Sequence, residues 1–233
     1  MTKTLIDWSE DQKSALSQIE AWRKKRSKQT LTMGGYAGTM NNPILRLATA
    51  FREGREVPYW DDPKGRLFIR PAAQLDRFVK PGVQFICGYN RTRFDINAQY
   101  RKREGYECTI PCPGERVICL KNNRKFGIFN GQQFMVHSVH SDEGDELVDM
   151  HVQTDDRQMI HVMARSEQFG RELLKDRTDD ALFDFGYCIT GHKGQGSEWG
   201  KVVALEEISP KWNAARWRYT VVTRAKEKLA YCM

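Results

Sequence analysis

Between residues 105 and 163 the chain offers short apolar segments separated by turn residues and no helical pattern, whereas strand and helix patterns alternate on either side. The segments are 116–120, 133–139, 147–153 and 159–163, with turns at Asn122-Asn123, Asn130-Gly131, 142–145 and Asp155-Asp156. Strands this short and frequent build a small β-barrel or sandwich. Strands alternating with helices build a mostly parallel sheet covered on both faces. The capping box Ser9-Glu10-Asp11-Gln12 opens a helix to about residue 26, and Asn42-Pro43 opens another to about residue 54. Further helices are expected at 91–103, 166–175 and 214–226, and strands at 30–33, 84–87, 185–190, 202–205 and 228–232, with a loop at 57–65. The expected architecture is α/β: a parallel sheet with helices on both faces and an inserted small β-barrel.

The chain has 233 residues, enough for one large domain or two small ones, and its hydrophobic fraction of 40% supports a core. No apolar run approaches the ~20 residues of a membrane span, and the first residues lack the apolar stretch of a signal peptide. A cytoplasmic, membrane-free protein is therefore expected, with its six cysteines as reduced thiols. Cys108, Cys112 and Cys119 lie close in sequence, but Cys108-x-x-x-Cys112 lacks a matching second pair, so no metal site is expected. The net charge of +7 favours a polyanionic partner. Part of it sits at 23–26, where cations suit the end of a predicted helix.

Residues 29–39, QTLTMGGYAGT, run an apolar strand into Gly34, Gly35 and Gly38. A phosphate loop, G-x-x-x-x-G-K-[ST], begins this way. Counting from Gly35, positions 40–42 require Gly, Lys and Ser or Thr, and the chain has Met40, Asn41 and Asn42. The lysine that neutralises phosphate charge and the hydroxyl that holds Mg²⁺ are both missing.

Residues 187–198, YCITGHKGQGSE, resemble motif V of superfamily 1 helicases, and residues 218–228, RYTVVTRAKEK, resemble their motif VI. Residues 8–12, WSEDQ, resemble the adenine-reading Q motif, and residues 35–39 the first part of motif I. Residues 87–97, CGYNRTRFDIN, are similar to a segment between motifs IV and V, and residues 114–131, GERVICLKNNRKFGIFNG, resemble the insertion of the RecD/Dda branch. The resemblance implies two RecA-like P-loop NTPase domains, the first reduced to a stub at 1–39, the second built from 40–104 and 165–233, and a barrel at 105–164. The rest of motif I, the Walker B acidic pair, motif III and the arginine that precedes the helix at 42–54 have no counterpart here. They amount to roughly 100–150 residues, most of a motor domain. A natural deletion, an engineered one and an error of sequence assembly each account for such a gap.

The resemblance also implies roles. Arg224 would be the arginine finger, offering a guanidinium fork to the γ-phosphate. Glu198 would touch the ribose or the metal-side network, Gln12 would read adenine, and Gly35, Gly38, Thr39 and Gly196 would line the ATP and Mg²⁺ site. Thr190, His192 and Lys193 would face single-stranded DNA, with Asn90, Arg93 and Asn97 along its path. Lys121, Arg124 and Lys125, interleaved with Phe126 and Phe129, suit the same ligand or a plain solvated loop, and Trp199, Trp212 and Trp217 are read as packing residues. Taken together, the motifs and the gap imply a monomeric member of a 5′→3′ ATP-dependent DNA helicase family that does not hydrolyse ATP alone. A non-enzymatic single-strand-binding or interaction module, and a non-functional remnant, are the other readings.

Overall fold

The fold comes from a computed structural model, which describes Ser17 and residues 42–78, 80–174 and 179–233. The chain divides into two compact units, Met1–Thr39 and Met40–Met233. Gln12, Gly35, Gly38 and Thr39, and the helix and strand expected around them, lie outside the described residues. Among the described residues no helix is long and apolar enough to cross a membrane.

The second unit opens with α1, Pro43–Arg52. The Asn42 side chain accepts from Ile44 N at 3.0 Å and Pro43 occupies the first turn, which together fix the helix start. Ile44, Leu47, Ala48 and Phe51 recur at helical spacing and bury one face. Strands β1 (Trp60–Asp61), β2 (Leu67–Arg70) and β3 (Gln84–Cys87) follow, with a 3₁₀ helix at Ala72–Phe78 between the last two. Helix α2 spans Asn90–Arg103. After β4 (Arg116–Cys119), β5 (Gln133–Val139), β6 (Leu147–Gln153), β7 (Met159–Arg165) and β8 (Phe183–Phe185), the chain returns through β9 (Cys188–Thr190) and β10 (Trp199–Leu205). Helix α3 (Ala214–Val222) and β11 (Ala225–Cys232) complete it.

These strands form two sheets. The six-stranded sheet has the order β1-β2-β11-β10-β3-β9 and is parallel except for the β1–β2 edge. Helices cover both its faces, as a sheet built from strand–helix–strand crossovers requires. Because successive strand residues point to opposite sides, Phe85 and Cys87 meet Ile96 and Tyr100 of α2, whereas Ile86 joins Leu229 and Tyr231 against α1 and α3. Each such fully buried side chain contributes about 1.5–3 kcal/mol.

The second sheet is antiparallel, with the order β7-β6-β5-β4-β8. Ala181, just before β8, bridges back to Ala164 of β7, with Arg165 N donating to Ala181 O at 3.0 Å and Ala181 N to Met163 O at 2.9 Å. The pattern at 185–190 reads as one strand, but the structure makes two. Phe183–Phe185 pairs in the antiparallel sheet and Cys188–Thr190 in the parallel one. Gly186 marks the passage, since a Cβ there would lie 3.2 Å from the Arg116 side chain and the Val117 backbone. The antiparallel sheet thus draws a strand from beyond residue 164, and its core (Val117, Phe134, Val148) is continuous with the α2 side of the parallel sheet. The helix expected at 166–175 shrinks to a 3₁₀ turn, Ser166–Gln168. Gln168 is buried there and its amide bonds the Arg171 and Glu172 carbonyls and Leu174 N, so side-chain bonds replace helical ones.

Several buried acids of this core stay neutral when the chain is folded. Burial pushes the Cys119 and Cys232 thiols up to about 11, and raises Cys188, Tyr187 and Tyr231 well above their usual values, with Glu115 adding to the rise at Tyr187 and Glu206 at Tyr231. In the unfolded chain these groups ionise near pH 9.0 (Cys) and 10.0 (Tyr), so unfolding releases protons above that range. Their stabilisation is complete below pH 9 and is lost as pH rises, at about 1.4 kcal/mol per group per pH unit. Urea midpoints are therefore expected to fall steadily from pH 8.5 to about 11; a flat profile would contradict this burial.

Candidate nucleic-acid and nucleotide site

The parallel strands β3, β9 and β10 end at one edge, and the loops leaving that edge carry the aromatic residues of the site. After β3 the chain turns at Gly88, where a Cβ would lie 2.2 Å from Glu207 O, so only glycine allows the β3 and β10 loops to meet. The Glu207 carboxylate accepts from Gly88 N at 2.9 Å and Tyr89 N at 3.1 Å, placing an anion at the start of α2. Tyr89, exposed, has its ring centroid 5.5 Å from that of Trp212, and His192 meets Trp212 edge-on at 5.0 Å.

Beside this aromatic group lies a cavity of ≈ 330 Å³, lined by Gly191, His192 and Gln195 from the loop after β9 and by Trp212, Asn213, Arg216, Trp217 and Thr220 at or on α3. A Cβ on Gly191 would lie 2.9 Å from Trp217 Nε1. That indole N–H is buried behind Gly191 and has no hydrogen-bond partner among the described residues. The Asn213 side chain accepts from Arg216 N at 2.9 Å and caps the helix. Residues 213, 216, 217 and 220 fall at i, i+3, i+4 and i+7, so one helical stripe forms the wall. Stacking faces and an exposed guanidinium suit a ligand with flat rings and phosphate oxygens.

The stretch 191–198 then crosses from the carboxyl end of β9 to the amino end of β10. There Arg224, at the end of α3, is half-buried and rigidly held. Its Nε donates to Thr220 O at 2.9 Å, one terminal nitrogen to Ser197 O at 2.9 Å and the other to Thr223 Oγ1 at 3.0 Å. Among the described residues no carboxylate lies within ion-pair distance of it. Burial lowers its pKa, opposed by the nearby charge of Glu198. Glu198 is exposed and pairs with Lys226 at 3.4 Å. Arg224, Glu198 and Gly196 therefore lie at one end of this stretch, and Thr190, His192 and Lys193 at the other.

Not every expected residue faces outward. Thr190 is buried, and its carbonyl accepts from Lys193 N and Gly194 N. The Lys193 ammonium reaches Leu120 O at 3.1 Å and Asn130 Oδ1, and burial lowers its pKa. Its amine bonds the loop of the antiparallel sheet. Arg93, 4% exposed, pairs with buried Asp184 at 2.8 Å. Asn97, 2% exposed, donates to Phe185 O at 3.0 Å and Cys188 O at 3.2 Å and accepts from Cys188 N at 2.7 Å. Both are buried and bonded inside the protein, whereas Asn90 at the start of α2 is exposed. Phe126 packs on the core, with Lys125 Nζ 5.1 Å from its ring, while Phe129 is exposed. Trp217 packs in the core, with Trp199 and Trp212 partly buried against it, as expected, and Trp212 also meets the Tyr89 and His192 rings. The 213–220 stripe is legible from its spacing alone, once that spacing is taken as a cavity wall.

The structure brings the sulfurs of Cys108 and Cys112 together.

Residues 185–231 match the UvrD-like helicase C-terminal domain. Over 214 residues the chain is 28% identical to the ATP-dependent RecD2 DNA helicase of Deinococcus radiodurans, covering 83% of this chain and 27% of that protein's length. Among solved structures, the Pif1 helicase from Bacteroides in complex with ADP-AlF3 and ssDNA superposes with a TM-score of 0.52 at 17% identity, over 97% of this chain and 58% of that one. A structure of two coordinating Pif1 helicases at forked dsDNA superposes with a TM-score of 0.51 at 16% identity, over 83% of this chain and 48% of that one. These superpositions show a shared fold, and the chain spans about a quarter of the length of the RecD2 relative.

Buried and cavity-facing residues separate by stability. Asn97→Ala strands two carbonyls and an N–H and is expected to cost about 2–4 kcal/mol. His192→Ala, at an exposed site, is expected to stay within about 0.5 kcal/mol of the parent. Urea denaturation of both variants tests the distinction, and equal midpoints would contradict it.

Proposed function

We infer that this chain, which belongs to the superfamily 1 helicases, binds single-stranded nucleic acid at the His192–Trp212 cavity and does not hydrolyse ATP by itself. The observation that carries the reading is the cavity, which sets the Trp212 and His192 rings beside the Arg216 guanidinium, with the exposed Tyr89 ring against Trp212. Bases stack on such rings regardless of sequence, at about 1–3 kcal/mol each. Phosphate oxygens fit the cation. The net charge of +7 adds the long-range attraction that any polyanion shares.

Arg224 fits the nucleotide end of the same machinery. A guanidinium fixed by three oxygen acceptors, with no carboxylate beside it among the described residues, is prepared for phosphate charge and needs little reorganisation to meet it. Glu198 and Gly196 stand beside it for the ribose or metal side. When bound, ATP with Mg²⁺ supplies the phosphoryl group whose transfer drives such motors. This chain offers Met40, Asn41 and Asn42 where the phosphate-loop lysine and the Mg²⁺-holding hydroxyl belong. Loss of both removes the main neutralisers of phosphate charge. Gln12, Gly35, Gly38 and Thr39 remain candidates for residual adenine and phosphate contact. The gap after Thr39 is read as an internal deletion of most of the first motor domain, and the segment around β4–β8 as the small barrel of the RecD/Dda branch. Translocation in the 5′→3′ direction belongs to the intact machine.

Two measurements test this. Fluorescence anisotropy with a labelled oligothymidylate should show binding that weakens linearly in log–log salt, and that Trp212→Ala weakens about tenfold. Salt-independent binding, or a Trp212→Ala variant equal to the parent, would remove the cavity from the reading. No ATP turnover above background is expected with or without the oligonucleotide; turnover abolished by Arg224→Ala would overturn the hydrolysis-deficient part.

A further inference from the structure

Four of the six cysteines are closed to chemistry. Cys87, Cys119, Cys188 and Cys232 are free and fully buried, and burial holds the thiols of Cys119, Cys188 and Cys232 protonated. Cys108 and Cys112 differ. Both are partly exposed, on the connection between α2 and β4, and their sulfurs meet.

Their surroundings are built by one buried ion pair. Arg101 of α2 donates to Glu115 through Nε at 2.8 Å and through a terminal nitrogen at 2.9 Å. The same guanidinium donates to Cys108 O at 2.7 Å and Ile110 O at 3.1 Å, and lies 3.6 Å from Cys108 Sγ. Glu115 in turn accepts from Cys112 N at 2.9 Å and from the Tyr187 hydroxyl at 3.0 Å. The Arg101–Glu115 pair therefore holds both cysteines by their backbones and sets a fixed cation beside one sulfur. Cys108, Cys112 and Glu115 lie close enough together for a metal. Glu115, however, is fully buried and both its oxygens already accept from protein donors, which leaves the two sulfurs as the reactive groups.

We propose that Cys108 and Cys112 form a thiol–disulfide exchange site for small-molecule disulfides, with Cys108 as the attacking sulfur and Cys112 as the resolving one. The thiolate is the nucleophile in exchange, and an Arg101 terminal nitrogen lies 3.6 Å from Cys108 Sγ as a donor to it. That thiolate attacks one sulfur of the small disulfide. The small disulfide's S–S bond breaks, and one thiolate leaves and takes a proton from water. Cys112, deprotonated by solvent, then attacks Cys108 Sγ and releases the second thiol. The protein pair gives up two electrons and two protons, and the small disulfide becomes two thiols. A dithiol runs the sequence backwards. Through Glu115 and Tyr187 the site is bonded to the segment that leads into β9, so its state bears on the strand ahead of Thr190.

The test uses the whole chain and oxidised glutathione. The reduced native protein is exposed to it, then denatured and alkylated, and the modified thiols are counted by mass. All six should be alkylated before oxidation and four after it. The two protected thiols should map to Cys108 and Cys112, and dithiothreitol should restore six. Cys112→Ser should trap a mixed disulfide on Cys108 about tenfold faster than Cys108→Ser traps one on Cys112. Six free thiols after oxidation, losses spread over the buried cysteines, or a pair that dithiothreitol does not reopen would overturn the exchange site. Equal trapping rates in the two variants would overturn the role of Cys108.

Discussion

The passage between the two sheets is held by two buried side-chain amides, and the rest of the molecule depends on them. Asn97 bonds the backbone on both sides of Gly186 and Tyr187. Gln84 donates to Gly186 O at 3.3 Å and Tyr187 O at 3.0 Å, while its own carbonyl accepts from Arg116 at 3.2 Å and Gln133 at 2.9 Å. The chain must leave antiparallel pairing and enter parallel pairing within a few residues; Gly186 N still donates to Arg116 O and Phe85 N to Tyr187 O, while Phe185 O, Gly186 O and the Cys188 backbone are met by side chains. Unsatisfied, each would cost about 1–3 kcal/mol. The two amides satisfy them, and so fix where β9 begins and where the loop after Thr190 emerges.

From that fixed start, one stretch of chain reaches both the cavity and Arg224. Residues 191–198 touch the aromatic cavity at the carboxyl end of β9 and reach Arg224 through Ser197 O at the amino end of β10. Helix α3 runs alongside, with Thr220 lining the cavity and its carbonyl holding Arg224 Nε. A nucleic-acid ligand and a nucleotide phosphate would thus share a rigid connection less than two helical turns long. Coupling between two such sites needs a continuous packed element that both can bias, and α3 with its loop is that element.

Much of this was legible in the sequence because it follows local rules. The parallel sheet with helices on both faces could be read from alternating patterns, and α1 from Asn42-Pro43 and its apolar spacing. The switch at Gly186 was not legible, because residues 183–190 are continuously buried and carry no period that separates two strands. Helix α2 hid its inner face for a related reason: Arg93, Asn97 and Arg101 are polar residues turned inward, so a basic helix that looks like a binding surface is partly a structural one. Trp212 reads as a packing residue, which it is, but a tryptophan in sequence does not reveal which edge of the sheet it stands on. The superfamily resemblance located the loop at 187–198 and Arg224, while the cavity itself needed Gly191 and α3 brought together in space.

The most direct measurement is hydrogen–deuterium exchange of the whole chain with and without an oligothymidylate. Amides at 189–197 and 212–220 should gain protection on binding, and those of the β5–β7 hairpins should not. Protection confined to the antiparallel sheet, or spread evenly over the basic surface, would contradict a nucleic-acid site at the His192–Trp212 cavity.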